Sequence, residues 1–187
     1  MLILAIKTAL ENIDVNFCKL SQIDYSMLDP DDISTKNLKE GKYLERPFAY
    51  EFYHQLRKLI DSGDVDFGGP VIQAEVDKSS QHCFKNRKIP DFIIHVPNTQ
   101  KNLAVIEFKL AANFRNLEAD LKKLVEFKNN KYLRFTFAIE IIIGNHAFLN
   151  KAKECISRIE KARGEEITII DYNTDSRKAK DWKILVE

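Results

Sequence analysis

The sequence predicts an α/β fold in which helices flank a central mixed β-sheet. Apolar residues at helical spacing alternate along the chain with short runs that are rich in β-branched and aromatic residues. Three strand-like runs follow one another before the next helix, which is typical of antiparallel neighbours. A strand–helix–strand pattern comes after them and is typical of a parallel crossover, so the predicted sheet is mixed.

The composition fits one globular domain. The chain has 187 residues, of which 44% are hydrophobic and 30% are charged. The formal net charge of +1 gives no overall attraction to nucleic acid, so any basic binding surface must be local. No apolar run approaches the roughly 20 residues that span a bilayer, and the N-terminus lacks the features of a signal peptide. We therefore expect a cytoplasmic protein with no membrane contact.

The cysteines predict neither a disulfide framework nor a zinc site. Cys18, Cys83 and Cys155 are odd in number and far apart, and no C-x-x-C occurs. Free thiols in a reducing compartment are the expected state.

The first part of the chain carries the weakest signal. Residues 2–12 are predicted to form a short helix, whereas residues 13–44 show little periodicity. We therefore divide the chain into an N-terminal extension of unclear role, residues 1–44, and an α/β domain, residues 45–187.

From residue 45 onward the elements follow in a clear order. Pro47 suits the first turn of a helix, and Phe48, Phe52 and Leu56 then share one stripe up to Gly63. The remaining predicted elements are a strand over 71–76, strands over 92–96 and 103–108, a helix over 115–129, a strand over 135–143, a helix over 147–163, and strands over 166–172 and 182–186.

The strands over 92–96 and 103–108 form a predicted hairpin that contains unexpected charges. A polar turn with Pro and Asn residues joins the two strands. Asp91, Glu107 and Lys109 lie in or beside these apolar strands. Because a buried charge without a partner costs several kcal/mol, charges at these positions call for a chemical role.

The expected strand register places two of these charges side by side. If the hairpin folds about Thr99, residues whose numbers add up to 198 face each other, and Asp91 then lies opposite Glu107. Directly opposed side chains have Cβ atoms roughly 4.5–5.5 Å apart, so the two carboxylates repel unless a proton or cation lies between them. Glu107 and Lys109 share a face because side chains alternate along a strand. This combination suits a hard divalent cation with a lysine beside it.

The same residues carry a resemblance to a known family. Pro90-Asp91 followed by Glu107-Phe108-Lys109, with a glutamate-bearing helix before and an amphipathic helix after, resembles the PD-(D/E)xK nuclease superfamily. The resemblance covers roughly residues 45–145. It implies a restriction-endonuclease-like core of the order αβββαβ, extended here by a C-terminal helix and strands. It also implies a metal-dependent endonuclease that hydrolyses phosphodiester bonds in DNA.

The resemblance also implies roles for the motif residues. Asp91 and Glu107 would bind Mg²⁺, for which Mn²⁺ can substitute, with the backbone carbonyl of Phe108 as a third ligand. Lys109 would orient or activate the attacking water, or offset charge on the phosphate. A lysine beside a cation can have a depressed pKa, so both roles stay open.

A glutamate of the preceding helix would complete the metal site. Glu51 lies at the edge of the apolar stripe of that helix and is the first choice for this role, as both metal ligand and catalytic residue. Glu45 is its rival, although Pro47 predicts that Glu45 lies just outside the helix.

Basic clusters supply candidate DNA contacts. Lys85, Arg87 and Lys88 lead directly into the motif, and Lys122 and Lys123 lie on the predicted outer face of the helix over 115–129. Lysine and arginine contacts to phosphates provide most non-specific affinity for DNA. Because many nucleases of this fold cut two strands as dimers, a homodimer is also possible.

Two other functions compete with the nuclease hypothesis. The chain could be a catalytically inactive member of the same fold that binds DNA or a protein. The hairpin charges could also be coincidental, in which case the chain is a plain α/β binding domain. Metal binding and the effect of changing Asp91 or Lys109 separate these hypotheses.

Overall fold

A computed structural model shows a six-stranded sheet with helices on both of its faces, which confirms the predicted α/β class and mixed sheet. The strands lie in the sheet in the order in which they occur along the chain. The structure describes residues 1–17, 45–75, 89–111, 116–144, 149–159 and 164–185.

The described elements are four helices and six strands, apart from a single 3₁₀ turn at Val15–Phe17. The helices are α1 (Leu2–Glu11), α2 (Glu45–Asp61), α3 (Leu117–Asn129) and α4 (Leu149–Ser157). The strands are β1 (Val71–Ala74), β2 (Phe92–His95), β3 (Asn102–Leu110), β4 (Phe137–Gly144), β5 (Glu166–Asn173) and β6 (Lys178–Leu185).

Strand directions divide the sheet into three parts. The first three strands form an antiparallel meander. Strands β3, β4 and β5 are parallel, and α3 and α4 make the two crossovers between them. Strand β6 pairs with β5 in the antiparallel direction and closes the sheet at that edge. This arrangement matches the antiparallel neighbours and the crossover that the sequence predicts.

Each face of the sheet has its own hydrophobic core. Because side chains alternate along a strand, the even-numbered residues of β3, such as Ile106 and Phe108, pack toward α1 and α2. The odd-numbered Val105 packs with α3 and α4 on the opposite face. Phe108 is the centre of an aromatic cluster, with ring centroids 5.1 Å from Phe52 and 5.6 Å from Phe92.

The first helix packs against this core. Ile6, Leu10 and Ile13 are fully buried in the same cluster as the aromatic residues of α2. The salt bridge from Lys7 to Asp181 on β6, with an Nζ–Oδ1 distance of 2.7 Å, also ties α1 to the edge of the sheet. Of the predicted N-terminal extension, residues 18–44 lie outside the described residues.

Most element boundaries lie within two residues of the prediction, and two differ by more. Strand β6 begins at Lys178 rather than at residue 182, because backbone pairing with β5 extends through polar residues that have no strand pattern of their own. Helix α4 covers Leu149–Ser157 within the predicted 147–163, and residues 145–148 and 160–163 are outside the described residues. In the described part of the chain, no helix has the length and apolar character needed to cross a membrane.

Candidate metal centre

The hairpin has the predicted register. Phe92 pairs with Ile106 and Ile94 with Ala104, and both pairs add up to 198. The register shifts by one only between Ile94 and His95. Asp91 immediately precedes β2, so the next position of this register lies opposite Glu107.

Asp91 is held in place by two backbone hydrogen bonds. Its carbonyl oxygen accepts a bond from the N–H of Glu75 at 2.9 Å, and its Oδ2 accepts one from the N–H of Phe108 at 2.8 Å. The N–H and carbonyl of one strand residue point to the same side of the strand. The carbonyl of Phe108 is therefore directed to the same side as Asp91, as its predicted role as a ligand requires.

A third carboxylate extends the pair across the sheet. In the parallel ladder, Glu107 pairs with Glu140 of β4. Asp91, just before β2, thus lies beside Glu107 on β3 and Glu140 on β4, and we refer to the three residues as the carboxylate row. Sequence reasoning missed Glu140, although its signal is the same as that of the hairpin charges: an acidic residue between isoleucines in an apolar strand.

Helix α3 places charged side chains over the carboxylate row. The Nζ of Lys123 lies 2.6 Å from Oε2 of Glu107, and the Nζ of Lys109 lies 2.7 Å from Oδ2 of Asp120. Lys123 and Asp120 also approach each other, at 3.9 Å. Glu107 and Lys109 both reach partners on α3, which confirms that they share a face. Asp120 is a further charged residue that the sequence analysis did not single out.

Burial raises the pKa values of the carboxyl groups in the carboxylate row. Desolvation and the charge of Asp91 raise the pKa of Glu107 well above its ordinary value. Desolvation, Asp120 and Glu107 do the same to the pKa of Glu140. Desolvation also raises the pKa of Asp91, although the hydrogen bond from Phe108 opposes this shift. The carboxylates are therefore close together, poorly solvated and only partly neutralised by positive charge.

The two lysines of the cluster are ammonium ions. Burial alone lowers the pKa of Lys109, but its hydrogen bond and ion pair with Asp120 outweigh burial, and the net pKa is raised. The pKa of Lys123 is raised in the same way, mainly through Glu107. Without a bound cation Lys109 is thus a hydrogen-bond donor, and both roles predicted for it beside a cation stay open.

A pocket of about 170 Å³ opens beside Asp91, between the first turns of α2 and the strands β1 to β3. Its lining residues are Glu45, Arg46, Ala49, Tyr50, Ala74, Glu75, Asp91, Phe92 and Phe108. Asp91 belongs both to this pocket and to the carboxylate row. A ligand in the pocket would therefore meet the row at Asp91.

The structure brings Glu45, not Glu51, to this pocket. Helix α2 begins at Glu45, so the expectation that Pro47 leaves Glu45 outside the helix is wrong; proline is tolerated throughout the first turn. Oε2 of Glu45 accepts a hydrogen bond from the N–H of Leu110 at 3.3 Å and lies 4.0 Å from Nζ of Lys109. Desolvation also raises the pKa of Glu45, against the charge of Lys109.

Glu51 lies on another part of α2. It is six residues farther along the helix, about 9 Å along the axis and on a different side of it. Its side chain accepts a hydrogen bond from Gln55, and it does not line the pocket. The structure thus separates Glu51 from this pocket, and its role at a metal site stays a prediction.

The predicted DNA contacts are only partly within the described residues. Lys85, Arg87 and Lys88 lie outside them. Lys122 is half exposed and forms an ion pair with Glu118, with an Nζ–Oε1 distance of 2.6 Å. Lys123 was predicted on the outer face of the helix, but its long side chain reaches inward to Glu107, and only 21% of it is exposed.

The residue types of the cluster fit a hard divalent cation. Oε1 of Glu107 and both carboxylate oxygens of Glu140 are buried and have no hydrogen-bond partner among the described residues. Carboxylate and carbonyl oxygens are the ligands that Mg²⁺ and Mn²⁺ prefer. As the side chains stand, no three His, Cys, Asp or Glu residues of the described ranges form a set of metal ligands.

Comparison of the chain with protein-family models, with curated proteins and with solved structures found no match. The protein is therefore classified here by its architecture and its candidate site. The protein is an α/β domain with helices on both faces of a mixed sheet and a buried cluster of carboxylates and lysines between that sheet and α3.

Proposed function

We propose that the protein is a divalent-metal-dependent deoxyribonuclease of the PD-(D/E)xK type. Its restriction-endonuclease-like core would consist of α2, the meander β1 to β3, α3 and β4. The observation that carries the proposal is the hairpin register, which sets Asp91 opposite Glu107 with Lys109 on the same face of apolar strands. The order of these elements and the helices on both faces agree with the resemblance.

The cation would be held by Asp91, Glu107 and the carbonyl of Phe108. When bound, Mg²⁺ or Mn²⁺ neutralises the phosphate, lowers the pKa of a bound water and stabilises the leaving oxygen. Lys109 donates hydrogen bonds from an ammonium that Asp120 holds in place. Such a donor can orient the attacking water or stabilise negative charge that develops on the phosphate.

Glu45 takes the place that the sequence analysis gave to Glu51. It lies at the first turn of α2, lines the pocket with Asp91 and approaches Lys109. A carboxylate there can order waters around the cation or position the lysine. Glu45 would therefore act from the pocket side, next to the ammonium of Lys109 that Asp120 of α3 also contacts.

The pocket offers groups that suit a nucleic-acid backbone. Arg46 lines it and is exposed, and a guanidinium can bind a phosphate through two hydrogen bonds. Tyr50, which also lines the pocket, is 54% exposed and presents an aromatic ring. DNA as the substrate rests on the resemblance, and so does a homodimer for cutting both strands.

A cleavage assay tests the proposal. Supercoiled plasmid and labelled single-stranded DNA are incubated with the wild type, Asp91→Asn, Lys109→Met and the control Lys183→Met, in Mg²⁺, Mn²⁺ or EDTA. Lys183 is an exposed lysine of β6 that pairs with Glu166, away from the proposed site. We expect cleavage that needs the metal, falls at least 100-fold in the first two variants, and persists in Lys183→Met. No cleavage of any substrate, or cleavage that Lys109→Met leaves unchanged, would contradict an active nuclease.

A second candidate is an inactive nuclease-fold module that binds DNA or a protein. The observation in its favour is that the cluster already contains two ammonium groups, Lys123 beside Glu107 and Lys109 beside Asp120. These ion pairs neutralise part of the carboxylate charge without a metal. This candidate predicts that binding to DNA, measured by fluorescence anisotropy, is the same in EDTA and Mg²⁺ and is unaffected by Asp91→Asn.

A further inference from the structure

Glu140 is a fully buried carboxylate to which the proposed nuclease motif gives no role. It lies in β4 between Ile139 and Ile141 and is 0% exposed. Neither of its carboxylate oxygens has a hydrogen-bond partner among the described residues. An ionised carboxylate in such a place is strongly destabilising unless a proton or cation compensates it. The position therefore needs a chemical explanation.

The sheet places Glu140 directly beside Glu107. The two residues pair in the parallel ladder, and neighbouring strands are about 4.8 Å apart. Oε1 of Glu107 is also buried without a hydrogen-bond partner in the described part of the chain. The next position across the sheet is Ile169 of β5, so the carboxylate row ends at Glu140. Unsatisfied acceptors thus lie side by side at this end of the row.

The buried cluster carries a net negative charge that a divalent cation would balance. The carboxylates are Asp91, Glu107, Asp120 and Glu140, and the ammonium groups are those of Lys109 and Lys123. When all are ionised, four negative and two positive charges leave a net charge of −2. One Mg²⁺ or Mn²⁺ balances this charge. Glu45 is not counted, because its side chain lies at the rim of the cluster, 35% exposed and 4.0 Å from Lys109. Neutralising the net charge without a cation takes two protons, one each on Glu107 and Glu140, and this is the state expected of the metal-free protein.

We infer that Glu140 is a third carboxylate of the cation site and binds the divalent ion together with Glu107, on the β4 side. The inference rests on the proposed metal site and extends it by one strand, because the motif includes no residue of β4. A divalent ion of this kind commonly keeps several waters, so Glu140 can act on it without displacing Asp91.

Binding of Mn²⁺ tests this role without any need for catalysis. Affinity is measured by calorimetry, and the rise in melting temperature is measured in parallel, for the wild type, Glu140→Gln, Asp91→Asn and Glu154→Gln. Glu154 is an exposed glutamate on α4 and serves as the matched control. We expect Glu140→Gln to weaken Mn²⁺ binding at least tenfold and to lose most of the rise in melting temperature, while Glu154→Gln binds like the wild type.

The outcomes separate this inference from the proposed function. Wild-type affinity in Glu140→Gln overturns the inference, and loss of binding in Asp91→Asn alone would leave the nuclease site standing. Loss in Glu140→Gln with retention in Asp91→Asn supports the inference and contradicts the nuclease site. No Mn²⁺ binding by the wild type at millimolar concentrations overturns both.

A second variant guards against misfolding. A buried glutamine amide needs hydrogen-bond partners of its own, so Glu140→Gln can fail to fold for reasons unrelated to metal. Glu140→Met removes every polar atom at similar size. It should fold in EDTA, as judged by circular dichroism, and should also bind Mn²⁺ at least tenfold more weakly. Wild-type Mn²⁺ affinity in this variant would overturn the inference.

Discussion

The two faces of the β2–β3 hairpin differ around the motif, although their side chains alternate along the same two strands. The face toward α2 is an aromatic cluster in which Phe108 contacts Phe52 and Phe92. The face toward α3 carries Glu107 and Lys109, which are paired with Lys123 and Asp120. One strand thus supplies a stable apolar layer on one side and a buried polar cluster on the other.

The comparison indicates a division of roles between stability and chemistry. Buried aromatic rings in close contact stabilise a domain without any specific protonation state. Buried carboxylates do the opposite, because their charge is costly in a dry interior unless something compensates it. The apolar face therefore provides the rigid support on which the charged face can be held in an unfavourable but useful arrangement.

The largest expected effect on stability comes from a substitution in the apolar face. Phe52→Ala removes a fully buried ring of the aromatic cluster and should lower the free energy of unfolding by about 3–5 kcal/mol. Urea denaturation followed by circular dichroism measures the change. Phe17→Ala is the control, since Phe17 is 45% exposed and its loss should cost far less. Equal effects of the two substitutions would contradict the packing described for this face.

The next largest effect on stability comes from a substitution in the charged face. Lys123→Met removes the ammonium beside Glu107 and should destabilise the metal-free protein at pH 8 by about 2 kcal/mol, since breaking a buried ion pair is costly. Mn²⁺ should restore the loss, because the cation replaces the missing charge. Thermal melts in EDTA and in Mn²⁺ measure both changes. Lys122→Met, at an exposed pair, should change stability by less than about 0.5 kcal/mol.

A smaller effect concerns pH. The pKa of Glu140 is raised in the folded protein, so its folded form holds a proton that the unfolded form releases above the ordinary value of 4.5. The contribution of Glu140 to stability is thus fully present below pH 4.5 and is lost as pH rises through the folded pKa. Without metal, the stability of Glu140→Gln relative to that of the wild type should rise by about 1–2 kcal/mol between pH 4 and pH 8. If the difference in unfolding free energy between Glu140→Gln and the wild type does not change with pH, Glu140 does not have a raised pKa in the folded protein.

The smallest effect decides between two glutamates of α2. Glu45→Gln should lower the rate of DNA cleavage about tenfold, which corresponds to about 1.4 kcal/mol, because Glu45 lines the pocket beside Asp91. Glu51→Gln should leave the rate within about twofold, because Glu51 contacts Gln55 instead. A plasmid-nicking time course in Mg²⁺ measures both. The reverse ranking would favour Glu51 over Glu45, as the sequence analysis predicts.

Local patterns in the sequence were sufficient to predict the hairpin. The period of two along each strand, together with a short polar turn, determined which residues face one another, and the structure confirms that register. The order of helices and strands was predictable for the same reason, since each amphipathic pattern reports which side of its own element is buried.

The rest of the site depends on contacts that no local pattern reports. Glu140 meets Glu107 only because the crossover through α3 sets the parallel register of β4 against β3. Lys123 turns inward because a buried carboxylate lies within reach of its long side chain. The choice of Glu45 over Glu51 depends on where α2 begins, and helix starts are the least certain part of a prediction from sequence.

The most direct test of the cation site is a crystal of the protein soaked in Mn²⁺ and measured for anomalous scattering. We predict a peak within ligand distance of Asp91, Glu107 and the carbonyl of Phe108, with the ammonium of Lys123 displaced from Glu107. A crystal in which Lys123 still pairs with Glu107, and in which no anomalous peak lies beside either carboxylate, would contradict the proposed metal centre.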